Sequence, residues 1–111
     1  MRIRVGFEMI YECPQPTPMI FNLHVHFTRV SDLIGRDDLT FDPPVPSAVY
    51  RDGFGNWCTR IVAPQGSLRI TADVVVRDTG ATDLIVGEAQ QVPVPDLPEE
   101  TLVFLLGSRY C

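Results

Sequence analysis

Lysine is absent from the 111-residue chain: its nine basic side chains are all arginines, scattered singly from Arg2 to Arg109. Against 14 acidic residues they leave a net charge of −5. No basic stripe exists to neutralise phosphates, which argues against nucleic-acid binding. Long hydrophobic runs are missing too. No apolar stretch approaches the roughly 20 residues of a membrane helix, and the opening MRIRVGFEMIYEC interleaves charges where a signal peptide has an unbroken apolar block. A soluble, cytoplasmic protein without a membrane partner is expected. Cysteine is sparse: Cys13, Cys58 and Cys111 form an odd set with no C-x-x-C spacing, so neither a disulfide framework nor a zinc knuckle is indicated. Reduced thiols are the expectation. A Cys13–Cys58 disulfide stays open, because sequence does not place their Cα atoms relative to each other.

What is present suits one folded domain spanning 1–111. The hydrophobic share of 45% and charged share of 21% are those of ordinary globular chains, and the length suffices to bury a core without staples. From Ile3 to Tyr11 the odd positions are Ile, Val, Phe, Met and Tyr, the alternation of a half-buried strand. CPQPTP interrupts it, since proline removes backbone donors and disfavours helix at the preceding residue. Met19, Phe21, Leu23, Val25 and Phe27 resume the alternation, with His24 and His26 on the opposite face, and this second strand is expected to pair antiparallel with the first.

SDLIGRDDLTFDPPVPS reads as a connection, with a short strand at Leu39 to Phe41. Val49–Arg51 and Trp57–Ala63 flank DGFGN, whose glycines and Asn suit a tight hairpin loop. Ser67 to Arg77 alternates most cleanly, with Leu68, Ile70, Ala72, Val74 and Val76 apolar. An edge strand is expected at Leu84 to Val86, and a short helix or turn from Asp96, a capping residue, through Pro98 in its first turn. Together these predict an all-β, antiparallel sandwich of about six to eight strands with a short C-terminal helix or turn. The apolar TLVFLLGSRYC would be costly if exposed. It either packs on the sandwich or is covered by a following domain, and it is also a surface for self-association.

Candidate chemistry is thin. A thiol nucleophile at Cys58 needs a depressed pKa, a His and an orienting Asp or Asn. Two turn registers at Pro64-Gln65-Gly66 leave its facing open. A three-residue turn pairs Val62 with Leu68 and directs Cys58 to the apolar face; a two-residue turn puts Trp57, Thr59 and Ile61 there. In either case Cys58 is mid-strand, without an activating helix N-terminus, and is read as structural. His24 and His26, with Glu8 on the neighbouring strand, have the spacing of a metal pair but read first as polar residues of a sheet face. Asp37, Asp38 and Asp42 with Glu99 and Glu100 read as solvated charges rather than paired catalytic carboxylates. Gly53 and Gly55 lack the Lys and Ser or Thr of a phosphate loop. No catalytic, cofactor-binding or metal residue is assigned.

The strands IRVGFEMIYEC, MIFNLHVHF and LRITADVVV, the hairpin YRDGFGNWCTRIV and the tail LPEETLVFLLGSRYC together resemble the N-terminal domain of bacterial transglutaminase-like proteins. The most specific matches are D-x-F-G-N, at Asp52, Phe54, Gly55 and Asn56, and L-P-x-x-T-x-x-x-L-x-x-S, at Leu97, Pro98, Thr101, Leu105 and Ser108. The resemblance implies a β domain preceding a papain-like core with a Cys-His-Asp triad, of a cysteine protease kind. None of that core's motifs occurs here, and Cys58 departs from the family's G-x-C nucleophile in position and setting. Cys111 falls where a linker to the core begins. The implied role is a non-catalytic accessory domain of a thiol hydrolase or acyltransferase, whose partner is the downstream core of the same polypeptide. The alternative is a stand-alone β-sandwich that binds a partner protein or oligomerises.

Overall fold

In the computed structural model, described here for residues 1–107, the alternating segments form seven strands in two antiparallel sheets. They are β1 (Arg2–Cys13), β2 (Thr17–Phe21), β3 (Leu33–Ile34), β4 (Thr40–Asp42), β5 (Ser47–Arg51), β6 (Trp57–Ala63) and β7 (Gly66–Arg77). In the first sheet β7 is central, with β1 along one side and β3 and β4 along the other. The second has the order β2-β6-β5. The all-β sandwich expected from the sequence is the fold observed.

The inward residues of both sheets meet in one core. Leu68 and Ile70 of β7 and Cys13 of β1 pack with Phe21 of β2 and Ile61 and Ala63 of β6, and Phe7, Met19, Leu23, Leu39, Phe41 and Val45 close around them. Leu68, Ile70 and Ala63 are fully buried. The even-numbered residues of β7 enter the core, as the pattern required, because side chains two apart share a face.

Two pairings differ from the expectation. β1 pairs with β7 and β2 with β6, so the first two strands are not neighbours. The Pro64-Gln65 link does not close a hairpin either, since β6 and β7 lie in different sheets. The chain therefore changes sheets at Pro14-Gln15-Pro16, at Pro43 to Pro46 and at Pro64-Gln65, three of its four crossings, and these three carry proline. With no N–H to give and φ fixed, proline cannot extend a ladder, and a crossing needs no ladder. The second strand also ends early. β2 stops at Phe21, and residues Phe27–Asp32 form a 3₁₀ turn that carries the chain back to the first sheet without proline.

The chain divides into two compact units, Met1–Gly80 and Ala81–Cys111. All seven strands belong to the first. The second holds 3₁₀ turns at Val94–Asp96 and Glu99–Leu105, and the edge strand expected at Leu84 to Val86 does not form, its residues being irregular and Leu84 and Ile85 exposed. Pro98, not Asp96, occupies the N-cap position of the last turn. Ser108 and Cys111, part of the exit motif and linker reading, lie outside the described residues.

Candidate functional site

The histidine at position 24 sits where the two sheets are tied together. Past the end of β2, in the segment leading to the first 3₁₀ turn, its Nδ1 lies 2.9 Å from the backbone carbonyl of Asp37 and its Nε2 2.7 Å from Thr59 Oγ1. A carbonyl can only accept, so Nδ1 carries a proton. In the neutral ring Nε2 then accepts from the Thr59 hydroxyl. The Asp37 carboxylate accepts the Val25 N–H at 2.6 Å, and stands 3.7 Å from His24 Nδ1. Both side chains are about nine-tenths buried, with exposures of 10% and 11%, and Thr59 is 2% exposed.

The order Asp37, His24, Thr59 is that of a relay to a hydroxyl nucleophile. Its setting is not. Thr59 lies mid-strand on β6 and faces inward, so no substrate carbonyl can reach its oxygen, and the carboxylate holds a backbone amide rather than the imidazole. The cavities that border His24 are small. One of about 230 Å³ includes Leu33, Val49 and Trp57, a second of about 230 Å³ includes Leu23 and Val74, and a third of about 310 Å³ includes Leu39, Phe41 and Ser47. They sit at or below the lower end of typical ligand sites. The network is a clamp between β6 and the chain that returns to the first sheet.

Cys58 occupies the outer face of β6 by strand alternation and is absent from the core cluster, yet only 2% exposed. Its outward facing, with Thr59 and Ile61 turned inward, is the one expected of the two-residue turn, but the turn does not set it, because β6 pairs with β2 and β5 and not with β7. Its partner on β5 is Tyr50, and the thiol donates weakly to the Asn56 carbonyl at 3.8 Å. The Tyr50 phenol is pushed above its usual pKa by desolvation first, then by the Cys58 thiol and the Asp52 carboxylate. Cys13 and Cys58 are both buried free thiols, so the disulfide left open by the sequence is not formed.

The D-x-F-G-N hairpin owes its shape to Asp52. Oδ1 accepts the N–H groups of Phe54 and Asn56, each at 2.9 Å, and Oδ2 accepts Asn56 Nδ2 at 2.9 Å. These bonds, the Asn56 side chain foremost, hold the Asp52 pKa below its usual range. Gly55 has φ +87°, and an added Cβ would collide with the Phe27 ring. Phe27 in turn lies under the Arg51 guanidinium, 4.1 Å from its ring centroid, with Trp57 5.5 Å away. The hairpin tip is thereby stacked on the first 3₁₀ turn.

The remaining candidates are dispersed. His24 and His26 are not on a strand, because β2 ends at Phe21; His26 Nδ1 contacts Thr28 Oγ1 at 3.0 Å, and Glu8 pairs with Arg69 at 3.5 Å. No group of three or more potential metal ligands exists among the described residues. Asp42 is on β4, while Glu99 and Glu100 open the last 3₁₀ turn. Sequence reasoning missed the pairing of His24 with Thr59 and Asp37; Thr59 is 35 positions away, and no local pattern signals it.

Fold and site together define a β-sandwich that buries a His24–Thr59–Asp37 network and two free thiols. No protein-family model matches the chain, and no curated protein matches its sequence. Among solved structures it is similar to one from Cytophaga hutchinsonii named a "putative cysteine protease", with a TM-score of 0.57 and 24% identity. The likeness covers 100% of this chain but 41% of that one, so this chain corresponds to less than half of its structural relative. At that identity the likeness is one of fold. No helix among the described residues is long and apolar enough to cross a membrane.

Proposed function

We propose that this chain is a non-catalytic accessory domain of a longer, transglutaminase-like cysteine hydrolase, acting in the cytoplasm where its thiols stay reduced. The observation that carries this reading is coverage: the whole chain matches a 41% portion of a larger protein whose name assigns it to cysteine proteases. The same portion here contains no accessible thiol with an imidazole beside it among the described residues. Cys58 is buried, and His24 is engaged with Thr59 and Asp37. The chemistry, thiol-mediated amide hydrolysis or acyl transfer, belongs on this reading to a papain-like core downstream.

The C-terminal segment supports the same view. Leu102 to Leu106 are 41% to 74% exposed, an arrangement that a covering surface would relieve. That surface is the downstream core or, when the core is lacking, a second copy. The encoding gene, read beyond the Cys111 codon, tests the proposal. A G-x-C at a helix start followed by His and Asp is expected, and a stop codon directly after Cys111 would overturn it. Thiol-dependent amidase turnover by the isolated chain, abolished by Cys58→Ser, would also overturn it.

A further inference from the structure

The sheet edges are guarded unequally. β2 carries Pro18, which has no N–H to offer a neighbour, β3 and β4 have two and three residues, and β5 has five and follows Pro46. β1 is different. It runs for 12 residues without proline, and among the described residues it pairs with β7 alone. An edge of that length presents a row of N–H and C=O groups ready to pair with another strand.

Its side chains say which strand. On one face Arg2 and Arg4 occupy the N-terminal half and Glu8, Ile10 and Glu12 the C-terminal half, with Gly6 between them. The other face carries Ile3, Val5, Phe7, Met9 and Tyr11, of which Ile3, Val5 and Tyr11 are 40%, 41% and 38% exposed. Such a strand is complementary in charge to itself run backwards. We propose that β1 pairs antiparallel with β1 of a second copy about a two-fold axis at Phe7, joining the two β1-containing sheets into one.

A two-fold axis normal to the sheet keeps each face on its own side, so odd residues must face odd and even residues even. With Phe7 opposite its equivalent, Arg2 faces Glu12 of the second copy, and Arg4 faces Ile10, diagonal to both Glu8 and Glu12 of that copy. On the apolar face Ile3 meets Tyr11 and Val5 meets Met9. An axis at Glu8 sets Arg4 opposite Glu12 but the Glu8 carboxylate against itself, and an axis at Gly6 sets Arg4 opposite Glu8 but leaves Glu12 beyond the paired segment. Cross-strand charge pairs favour the Phe7 register over both. Arg4 and Glu8 are already engaged with Asp73 and Arg69, so the Arg2–Glu12 contacts carry the discrimination.

Sedimentation velocity of the full 111-residue chain up to high micromolar concentration tests the pairing. A reversible dimer is expected. Arg2→Glu and Glu12→Arg each weaken it by about tenfold or more, because each reverses two symmetry-related contacts. An equimolar mixture of the two variants restores dimerisation, since every reversed contact then meets its opposite. Both side chains are exposed, so neither change threatens the fold. A chain that stays monomeric throughout overturns the proposal. So does self-association indifferent to both reversals, the behaviour expected if the C-terminal apolar segment were the contact.

Discussion

At the scale of single residues, the molecule spends its polar groups on holding loops to sheets. The Thr59 hydroxyl is hydrogen-bonded to His24 Nε2, and no buried side-chain N or O atom among the described residues lacks a partner. Thr59→Val keeps the volume but strands His24 Nε2 away from water. A loss of about 1–3 kcal/mol is expected by urea unfolding, the cost of a buried polar atom left unpaired. At the hairpin, Gly55→Ala meets both a left-handed backbone and the Phe27 ring, and a loss of about 1–3 kcal/mol is expected. Gly53→Ala, with nothing near its missing Cβ, should unfold at nearly the wild-type denaturant midpoint.

At the scale of elements, β1 lies unusually close to β7 at one point. Gly6 faces Asp73 across the ladder, and a Cβ at Gly6 would stand 2.5 Å from the Ala72 carbonyl oxygen. That neighbour is backbone in a central strand and cannot step aside. Gly6→Ala is therefore expected to push the strands apart and destabilise the fold by about 1–3 kcal/mol, with faster amide exchange along β1 and β7 than in β2 and β6. Ion pairs add to the same strand pairing and to its end. Arg4 holds Asp73, and Arg29 donates to Asp32, Asp78 and the Arg77 carbonyl, fastening the first 3₁₀ turn to the end of β7.

At the scale of the whole molecule, the carboxylates make stability depend on acid. Asp52, Asp73 and Asp78 all have lowered pKa values, set chiefly by Asn56, by Arg4 and by the Gly80 amide with Arg29. A lowered folded-state pKa means that the unfolded chain binds more protons in the acid window. The stabilisation is therefore complete above about pH 4 and is lost as pH falls further through the folded values. The melting temperature is expected to be flat from neutral pH down to that point and to fall below it. The thiols report on the same global equilibrium. Cys13 and Cys58 are buried on different strands, so their alkylation, mapped by mass spectrometry, should follow urea unfolding and be negligible in native buffer.

The sequence by itself determined the strands whose alternation is strict. β1 and β7 stand where the pattern puts them, because period-two patterning is a local property that burial on one face imposes, and β6 stands where the DGFGN turn and Pro64 bound it. It also determined the hairpin, since Asp52, Gly55 and Asn56 form their loop among themselves. The alternation from Met19 to Phe27 misled, because Leu23 and Val25 can be apolar in an irregular segment that caps a core as well as in a strand. Only the tertiary structure decided which strands are neighbours. The links at Pro14-Gln15-Pro16 and Pro64-Gln65 are as short as hairpin loops, and whether such a link turns within a sheet or crosses between sheets depends on contacts remote in sequence. The same holds for His24: its partners Thr59 and Asp37 reach it only when β6 and the returning chain are packed together, and that proximity is a product of the whole core.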